Sequence, residues 1–387
     1  MRLQDRDKSG LSVLSGNDWF QPPAPDQIEV TLFGPGYGEC VLLHLGSSNW
    51  VIIDSCIDNT TGRPAALEYL AEIGVQPKNS VKLIIATHWH DDHIRGMAEL
   101  VSQCNAADFC CSSALGAKEF LAMVATYKVR PMVVAGAGIR EIDRVFEILD
   151  KQHRIAKYAA ANRPVFVLQG HETDHGQHCT VTTLSPSDKQ VQLFHAEIAA
   201  LIPGLETKRR CAPQSPNHLT VATWVQIGDL AMLLGGDLEE IGDPATGWSV
   251  IVNSPEKPQG HATIFKVPHH GSANAHHEEV WKQMLVKAPF AILAPWNRAT
   301  KLPRPDDIKR ITNLTDYAYS TAKLRPVKTD KAFSPVVGRQ LRDMGLRINR
   351  AEPKTGAIRL RNKGKAAVTE WQIELRRDAC ELSQVYS

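Results

Sequence analysis

The run Val81 to Ala86, apolar apart from Lys82, leads directly into Thr87-His88-Trp89-His90-Asp91-Asp92-His93-Ile94-Arg95-Gly96. Such a run reads as a buried strand, and it delivers three histidines and the carboxylate of Asp92 onto the loop at its end. In an extended backbone His88 and His90, separated by Trp89, point the same way and can grip one ion. Asp92 and His93 follow where the chain turns into a helix expected over Ile94 to Cys104, and they can face a second ion. So dense a ligand set, set down directly after a buried strand, marks a metal site rather than a solvated loop.

The chain has 387 residues, enough for one large domain or two ordinary ones around a substantial core. Met1 to Asp18 is polar and lacks the apolar centre of a signal peptide, and no stretch reaches the apolar length of a membrane span, so a soluble protein is expected. The eight cysteines include no CxxC pair, and Cys110 and Cys111 are adjacent. Neither a zinc ribbon nor a disulfide framework is indicated, and a cytoplasmic compartment fits. Net charge is +2, yet residues 301–387 hold 19 Lys/Arg against 10 Asp/Glu. That basic segment is either a phosphate-attracting surface or a solvated face.

Residues 1–26, with Gln21-Pro22-Pro23-Ala24-Pro25, read as an irregular extension. Strands are expected over Ile28 to Phe33, Cys40 to Leu45 and Trp50 to Ile53, and a helix over Pro64 to Ile73. Asp54 ends the third strand, where a carboxylate can orient ligands without binding the metal itself. From Cys104 to Arg210 the pattern weakens: helices are expected over Ser113 to Ala125 and Ile139 to Ala160, strands over Val165 to Leu168 and Cys179 to Leu184. Gly136-Ala137-Gly138 is a partial dinucleotide fingerprint with Glu141 in place of its third glycine, and it is set aside. His171-Glu172-Thr173-Asp174-His175-Gly176-Gln177-His178 would suit a metal only if helical. Its glycines favour a solvated or substrate-facing loop.

Leu219 to Ile227, Gly228-Asp229 and Leu230 to Leu234 read as a tight hairpin. His218 and Asp237 then lie nearly opposite each other at its open end, both able to reach one site. Gly235-Gly236 leave room for a close approach to Asp237. A further buried strand, Thr263 to Val267, ends in Pro268-His269-His270-Gly271-Ser272. One of these two histidines is expected to complete the second metal position, and alignment on the following glycine favours His270. Beyond it, Glu278 to Leu285 and Pro305 to Asn313 read as helices and Phe290 to Leu293 as a strand. In the tail, Ile358 to Arg361 and Val368 to Leu375 read as strands that could pair at a sheet edge.

Taken together, Asp54, the His88-Trp89-His90-Asp91-Asp92-His93 run, His218, Asp237 and the His269-His270 pair resemble the five-motif signature of the metallo-β-lactamase superfamily. The resemblance spans roughly residues 28 to 300. Gly38-Glu39-Cys40-Val41-Leu42-Leu43, Gly235-Gly236-Asp237 and Lys266-Val267-Pro268-His269-His270-Gly271-Ser272 are similar to the lactamase-like domain of the DNA-uptake competence proteins. There the position near His218 often sits in an Asn-x-x-Ser pattern, whereas this chain has Asn217-His218-Leu219-Thr220. Ser55-Cys56 likewise follow Asp54 where relatives have glycines. The resemblance implies an α/β four-layer αββα sandwich over residues 27–300, with residues 104–210 as a partly helical insertion. The basic segment 301–387 completes or flanks the same domain through a β extension.

It also implies two divalent metals, Zn²⁺ or Mn²⁺. Metal one falls to His88, His90 and His218, metal two to Asp92, His93 and His270 or His269, and the bridging carboxylate to Asp237. Two metals roughly 3.5–4 Å apart lower the pKa of a shared water and clamp attacking and leaving oxygens. The expected reaction is therefore phosphodiester hydrolysis in nucleic acid or nucleotides, with a small ester, lactone or amide as the alternative substrate and a non-catalytic binding module as the third reading. Ser272, Asn274, His276 and His277 are the residues expected to include any proton donor to the leaving group.

Overall fold

The computed structural model describes residues 18–116, 137–206, 216–298, 300–324, 339–340, 343–344, 354–365 and 367–386. Most of the N-terminal extension, most of the helix expected over 113–125, Gly136 of the discarded fingerprint and parts of the basic segment lie outside these residues.

Sixteen strands are present among the described residues. In the first half of the chain they are β1 (Ile28–Gly34), β2 (Cys40–His44), β3 (Trp50–Ile53), β4 (Val81–Ala86), β5 (Asp108–Ser112), β6 (Lys157–Ala159), β7 (Arg163–Leu168) and β8 (Cys179–Thr183). The second half adds β9 (Thr223–Ile227), β10 (Leu230–Leu234), β11 (Ala262–Lys266), β12 (Leu285–Leu293), β13 (Ala318–Ser320), β14 (Gly356–Asn362), β15 (Gln372–Arg376) and β16 (Cys380–Glu381). They make two eight-stranded sheets, ordered β15-β14-β1-β2-β3-β4-β5-β6 and β16-β13-β12-β11-β10-β9-β8-β7. Each sheet joins antiparallel ribbons to a parallel run, β3-β4-β5-β6 in one and β10-β11-β12-β13 in the other.

Three apolar clusters show how the layers stack. One lies between the sheets, where Val30, Leu32, Leu43 and Ile85 meet Val225, Met232, Ile264 and Ile292. A second packs Leu42, Ile52, Ile84 and Phe109 under helices Ala65–Glu72, Met97–Gln103 and Ala137–Lys151. The third packs Leu233, Phe265 and Leu293 under helices Gly247–Asn253, Glu278–Gln283 and Pro305–Leu314. Adjacent residues such as Leu42 and Leu43 enter different clusters because strand side chains alternate between faces. The central strands are covered on both faces, so β3 and β10 are apolar and buried throughout. The result is the four-layer αββα sandwich.

Residues 104–210, read as an insertion, supply β5 and β6 to the first sheet and β7 and β8 to the second. The segment therefore belongs to the framework of the sandwich. Its helical expectation over Ile139 to Ala160 holds only to Lys151, after which the chain re-enters the first sheet as β6. The two tail strands pair with each other, the second starting only at Gln372 because Val368–Glu370 forms a 3-10 turn, and β14 lies inside the sheet, antiparallel to β1 on its other side. Part of the basic surplus is internal as a consequence: Arg359 and Arg361 are buried, 2.6 Å from Glu374 and 2.8 Å from Glu29.

Candidate metal centre

The parallel runs bring their carboxyl ends together, the usual place for a ligand site in sheets of this kind. Asp54 follows β3, His88 to His93 follow β4, Asp237 follows β10, and His269 and His270 follow β11.

Asp54 anchors the loop after β4. Its Oδ1 accepts the Thr87 N–H at 2.8 Å, and its Oδ2 accepts the Thr87 hydroxyl at 2.8 Å and the His93 Nδ1–H at 2.7 Å. Thr87 Oγ1 in turn lies 3.0 Å from His88 Nδ1. These contacts place the protons of His88 and His93 on Nδ1 and leave Nε2 of each to face inward. Asp54 adopts φ 62°, a left-handed conformation that costs a non-glycine residue of the order of 1 kcal/mol and that its three hydrogen bonds offset.

The helix expected over Ile94 to Cys104 is broken into Asp91–Ile94 and Met97–Gln103. Gly96 sits between them at φ 82°, and a Cβ there would lie 2.7 Å from Ile57 Cδ1. The first short helix aims Asp92 and His93 at the centre. Gly236, at φ 51°, fits only as glycine because a Cβ would lie 2.5 Å from Thr220 Cγ2. Its tight passage brings Asp237 in beside them.

Asp92, His93, Asp237 and His270 each offer one ligand atom, all within 4.8 Å of one another. His93 Nε2 lies 3.2 Å from Asp237 Oδ2 and 3.6 Å from Asp92 Oδ2. His270 Nε2 lies 3.1 Å from Asp92 Oδ2 and 3.6 Å from Asp237 Oδ2. The other His270 nitrogen lies 2.9 Å from Ala294 O, which fixes it as the donor and turns Nε2 inward. His88 and His90 adjoin this group, with His88 Nε2 3.1 Å from His90 Nδ1 and the His88 and His93 rings 4.2 Å apart. Between His269 and His270 the structure therefore brings in His270. His269 turns towards Glu239 (3.1 Å) and Asn274 (3.1 Å). Both histidines are left-handed, at φ 47° and 53°, which is what makes consecutive side chains diverge here.

His218 is not brought to this group. The strand expected to begin at Leu219 begins at Thr223, and Pro216–Leu219 is a 3-10 turn. The intervening chain crosses to the other sheet, where the Val221 N–H donates to Thr87 O at 3.0 Å. Asn217 is buried in consequence, and the partly exposed His218 lies 3.7 Å from Glu239. Ser272, His276 and His277 line a small cavity with Trp248 and Trp281 beneath the helices of the second sheet. In the loop from His171 to His178, His175 Nε2 lies 2.9 Å from Leu45 O, a structural contact between the sheets.

Two further charged residues belong to the centre. Glu39 and Lys266 are both buried and form an ion pair behind Asp237, with Lys266 Nζ 2.8 Å from Gly236 O and 3.8 Å from Asp237 Oδ1. Lys266 interrupts the apolar run Thr263 to Val267, and Glu39 opens the apolar run Cys40 to Leu45. A charge inside a run that periodicity buries is the signal that could have found Lys266, and with it the need for a partner such as Glu39.

The electrostatics follow from this packing. Burial opposes charge on His93, but Asp237, Asp92, Asp54 and Glu39 together raise its pKa well above the usual range. His270 is raised against burial by Asp237 and Asp92. Asp237 is held well below the carboxylate range despite its burial, through His93, His270 and Lys266, and Asp92 is lowered likewise by His93 and His270. Burial lowers His88 and His90 instead. Ionised carboxylates thus face imidazoles whose protons stand where a cation would. His93 Nε2 and Asp237 Oδ1 are buried without a hydrogen bond of good geometry, so the donor set fits a divalent metal better than it satisfies itself.

Residues 33–181 match the family described as the metallo-beta-lactamase superfamily. That match supports membership of the superfamily. The metallo-beta-lactamase match covers Asp54 and the loop from His88 to His93 and ends before Asp237 and His270. Among solved structures the chain is similar to YhfI of Bacillus subtilis, a metallo-beta-lactamase fold protein (12% identity, 75% of this chain and 93% of that one, TM-score 0.37). It is also similar to human tRNase Z, short form (11%, 74% and 88%, TM-score 0.32), and to a Cronobacter sakazakii metallo-beta-lactamase (13%, 64% and 79%, TM-score 0.32). These likenesses are remote. No curated protein matches the sequence.

Proposed function

We propose that the chain is a dinuclear-metal-dependent hydrolase of phosphodiesters in nucleic acid or nucleotides. The observation that carries this reading is the convergence of Asp92, His93, Asp237 and His270, with the His88-His90 pair alongside. Asp92, His93 and His270 would hold one metal, His88 and His90 the other, and Asp237 both. Divalent metals bound there supply a water activated near neutral pH and positive charge for the phosphoryl oxygens. The protein holds the ligands in register: Asp54 fixes His93 and, through Thr87, His88, while Ala294 O fixes His270. The likeness of Gly235-Gly236-Asp237 and Lys266 to Ser272 to the competence-protein domain supports a nucleic-acid substrate over a small ester.

The test is cleavage of single- and double-stranded DNA, RNA and bis-p-nitrophenyl phosphate by purified protein with Zn²⁺ or Mn²⁺, against His88→Ala. Metal-dependent cleavage lost in His88→Ala is the expected result. Cleavage of none of these, or equal cleavage by both proteins, would overturn the proposal. Steep loss of activity with added salt separates a polyanionic substrate from a neutral ester.

A further inference from the structure

A cavity of about 360 Å³ opens beside Asp92, between the turns Pro35 to Gly38 and Cys56 to Gly62. Its size suits a nucleotide-sized ligand. Two guanidinium groups, those of Arg95 and Arg298, line it. Among the described residues neither has a carboxylate partner. Arg298 is held in place all the same, its guanidinium 4.2 Å from the centre of the Tyr37 ring. The Tyr37 hydroxyl donates to Asn59 Oδ1, which fixes the ring in turn. A stacked, planar guanidinium with its fork of N–H donors unspent is suited to bidentate binding of phosphate.

The acidic groups in the wall do not cancel this. Asp58 is neutralised within the protein by Arg377 at 2.6 Å and by the Thr60 and Thr61 N–H groups. Asp92 turns to His270 and the metal centre. Only Asp91 remains as an exposed acid among the lining residues.

We infer that Arg95 and Arg298 form a subsite for a second phosphate of the substrate, next to the one cleaved at the metal centre. The inference rests on the phosphodiesterase reading and narrows it to a substrate with phosphates on consecutive nucleotides. Two cations on one side of the centre would bind the flanking phosphate, and the cavity would hold the nucleoside between them.

Two measurements on Arg95→Met, Arg298→Met, Arg298→Lys and the double methionine variant test it. The first is the ratio of kcat/KM on a 5′-phosphorylated thymidine dinucleotide to kcat/KM on bis-p-nitrophenyl phosphate. The expected result is a fall of that ratio by tenfold or more in the double variant, carried by KM, with Arg298→Lys intermediate because it keeps the charge and loses the fork. The second is binding of thymidine 3′,5′-bisphosphate to the metal-free protein by calorimetry, which needs no turnover. Binding weakened tenfold or more by Arg298→Met is expected. An unchanged ratio, or bisphosphate binding indifferent to both arginines, overturns the subsite even where the wild type cleaves bis-p-nitrophenyl phosphate. Arginine-dependent bisphosphate binding without cleavage of any phosphodiester keeps the subsite and overturns the enzymatic reading instead.

Discussion

Replacing Lys266 with Met is expected to be among the most damaging single changes outside the metal ligands. Lys266 is 1% exposed, and its Nζ contacts Glu39 and Gly236 O and lies 3.8 Å from Asp237 Oδ1. At an effective dielectric of about 20, the Asp237 attraction alone is about 4 kcal/mol before desolvation is counted. Met keeps the apolar stem and deletes the charge, leaving the buried Glu39 without its cation. Breaking a buried pair in this way costs about 3–5 kcal/mol. Lys266→Met should therefore lose about that much in urea unfolding of the chelated protein at pH 8. Glu39→Gln with Lys266→Met should recover at least about 2 kcal/mol of the loss, since no lone charge then remains buried. Burial already raises the Glu39 carboxyl above its usual range, against the pull of Lys266. Without Lys266 its folded-state pKa rises further, so the loss should be largest at high pH and shrink on acidification as Glu39 takes up a proton. A Lys266→Met loss below about 1 kcal/mol, or a double variant whose loss equals the sum of the singles, would refute the reasoning.

Four further outcomes follow from the same structure. Burial pushes the His44 pKa down to about 4, and its ring sits neutral between Gln27 O (2.7 Å) and the Ser48 N–H (3.2 Å). The unfolded chain binds that proton below about pH 6.5, so His44 should cost about 3 kcal/mol of stability as pH falls from 6.5 to 4, and His44→Gln should show a shallower decline in urea unfolding. Elemental analysis should find metal lost from His270→Ala and retained by His269→Ala, because only His270 faces Asp92 and Asp237. Asp54→Ala leaves Thr87 and His93 without their acceptor and should weaken metal affinity by about 10–100-fold in competition with a chromogenic chelator. Metal at about 100 times its dissociation constant should add about 2.7 kcal/mol to stability, and an unfolding midpoint unmoved by chelation would contradict the centre.

Apolar runs carried most of the fold in the sequence. β3 and β4 coincide with the runs at Trp50 and Val81, because strands buried on both faces admit little else, and β1 follows the alternation that starts at Ile28 and ends one residue later than expected, at Gly34. Less legible were β5, β6 and helix Asp188–Glu206. Asp108-Phe109-Cys110-Cys111-Ser112 has no β-branched residue, and the helix contains Pro203-Gly204 near its end, so local preference points away from both elements. Their neighbours in the sheets and the helical layer decide them.

The candidate site divides the same way. His88, His90, Asp92, His93 and Asp237 were legible because each stands where a run stops, and a strand end at the carboxyl edge of a parallel sheet points inward. The placement of His218 could not be read by extending the hairpin. The register itself is as expected, with Leu230 opposite Ile227 and Leu234 opposite Thr223. Beyond Thr223, however, the backbone spends its hydrogen bonds elsewhere, on Thr87 O and, through Ala222 O, on the Leu184 N–H. Pairing geometry holds only while the ladder continues, so a residue five positions past its last pair inherits no register. Lys266 and Glu39 make the complementary point. Lys266 lies within an apolar strand and Glu39 at the head of another, yet a charge cannot be buried without a partner. The break that Lys266 makes in its strand is the signal that an opposite charge, Glu39, and with it the centre, lies alongside.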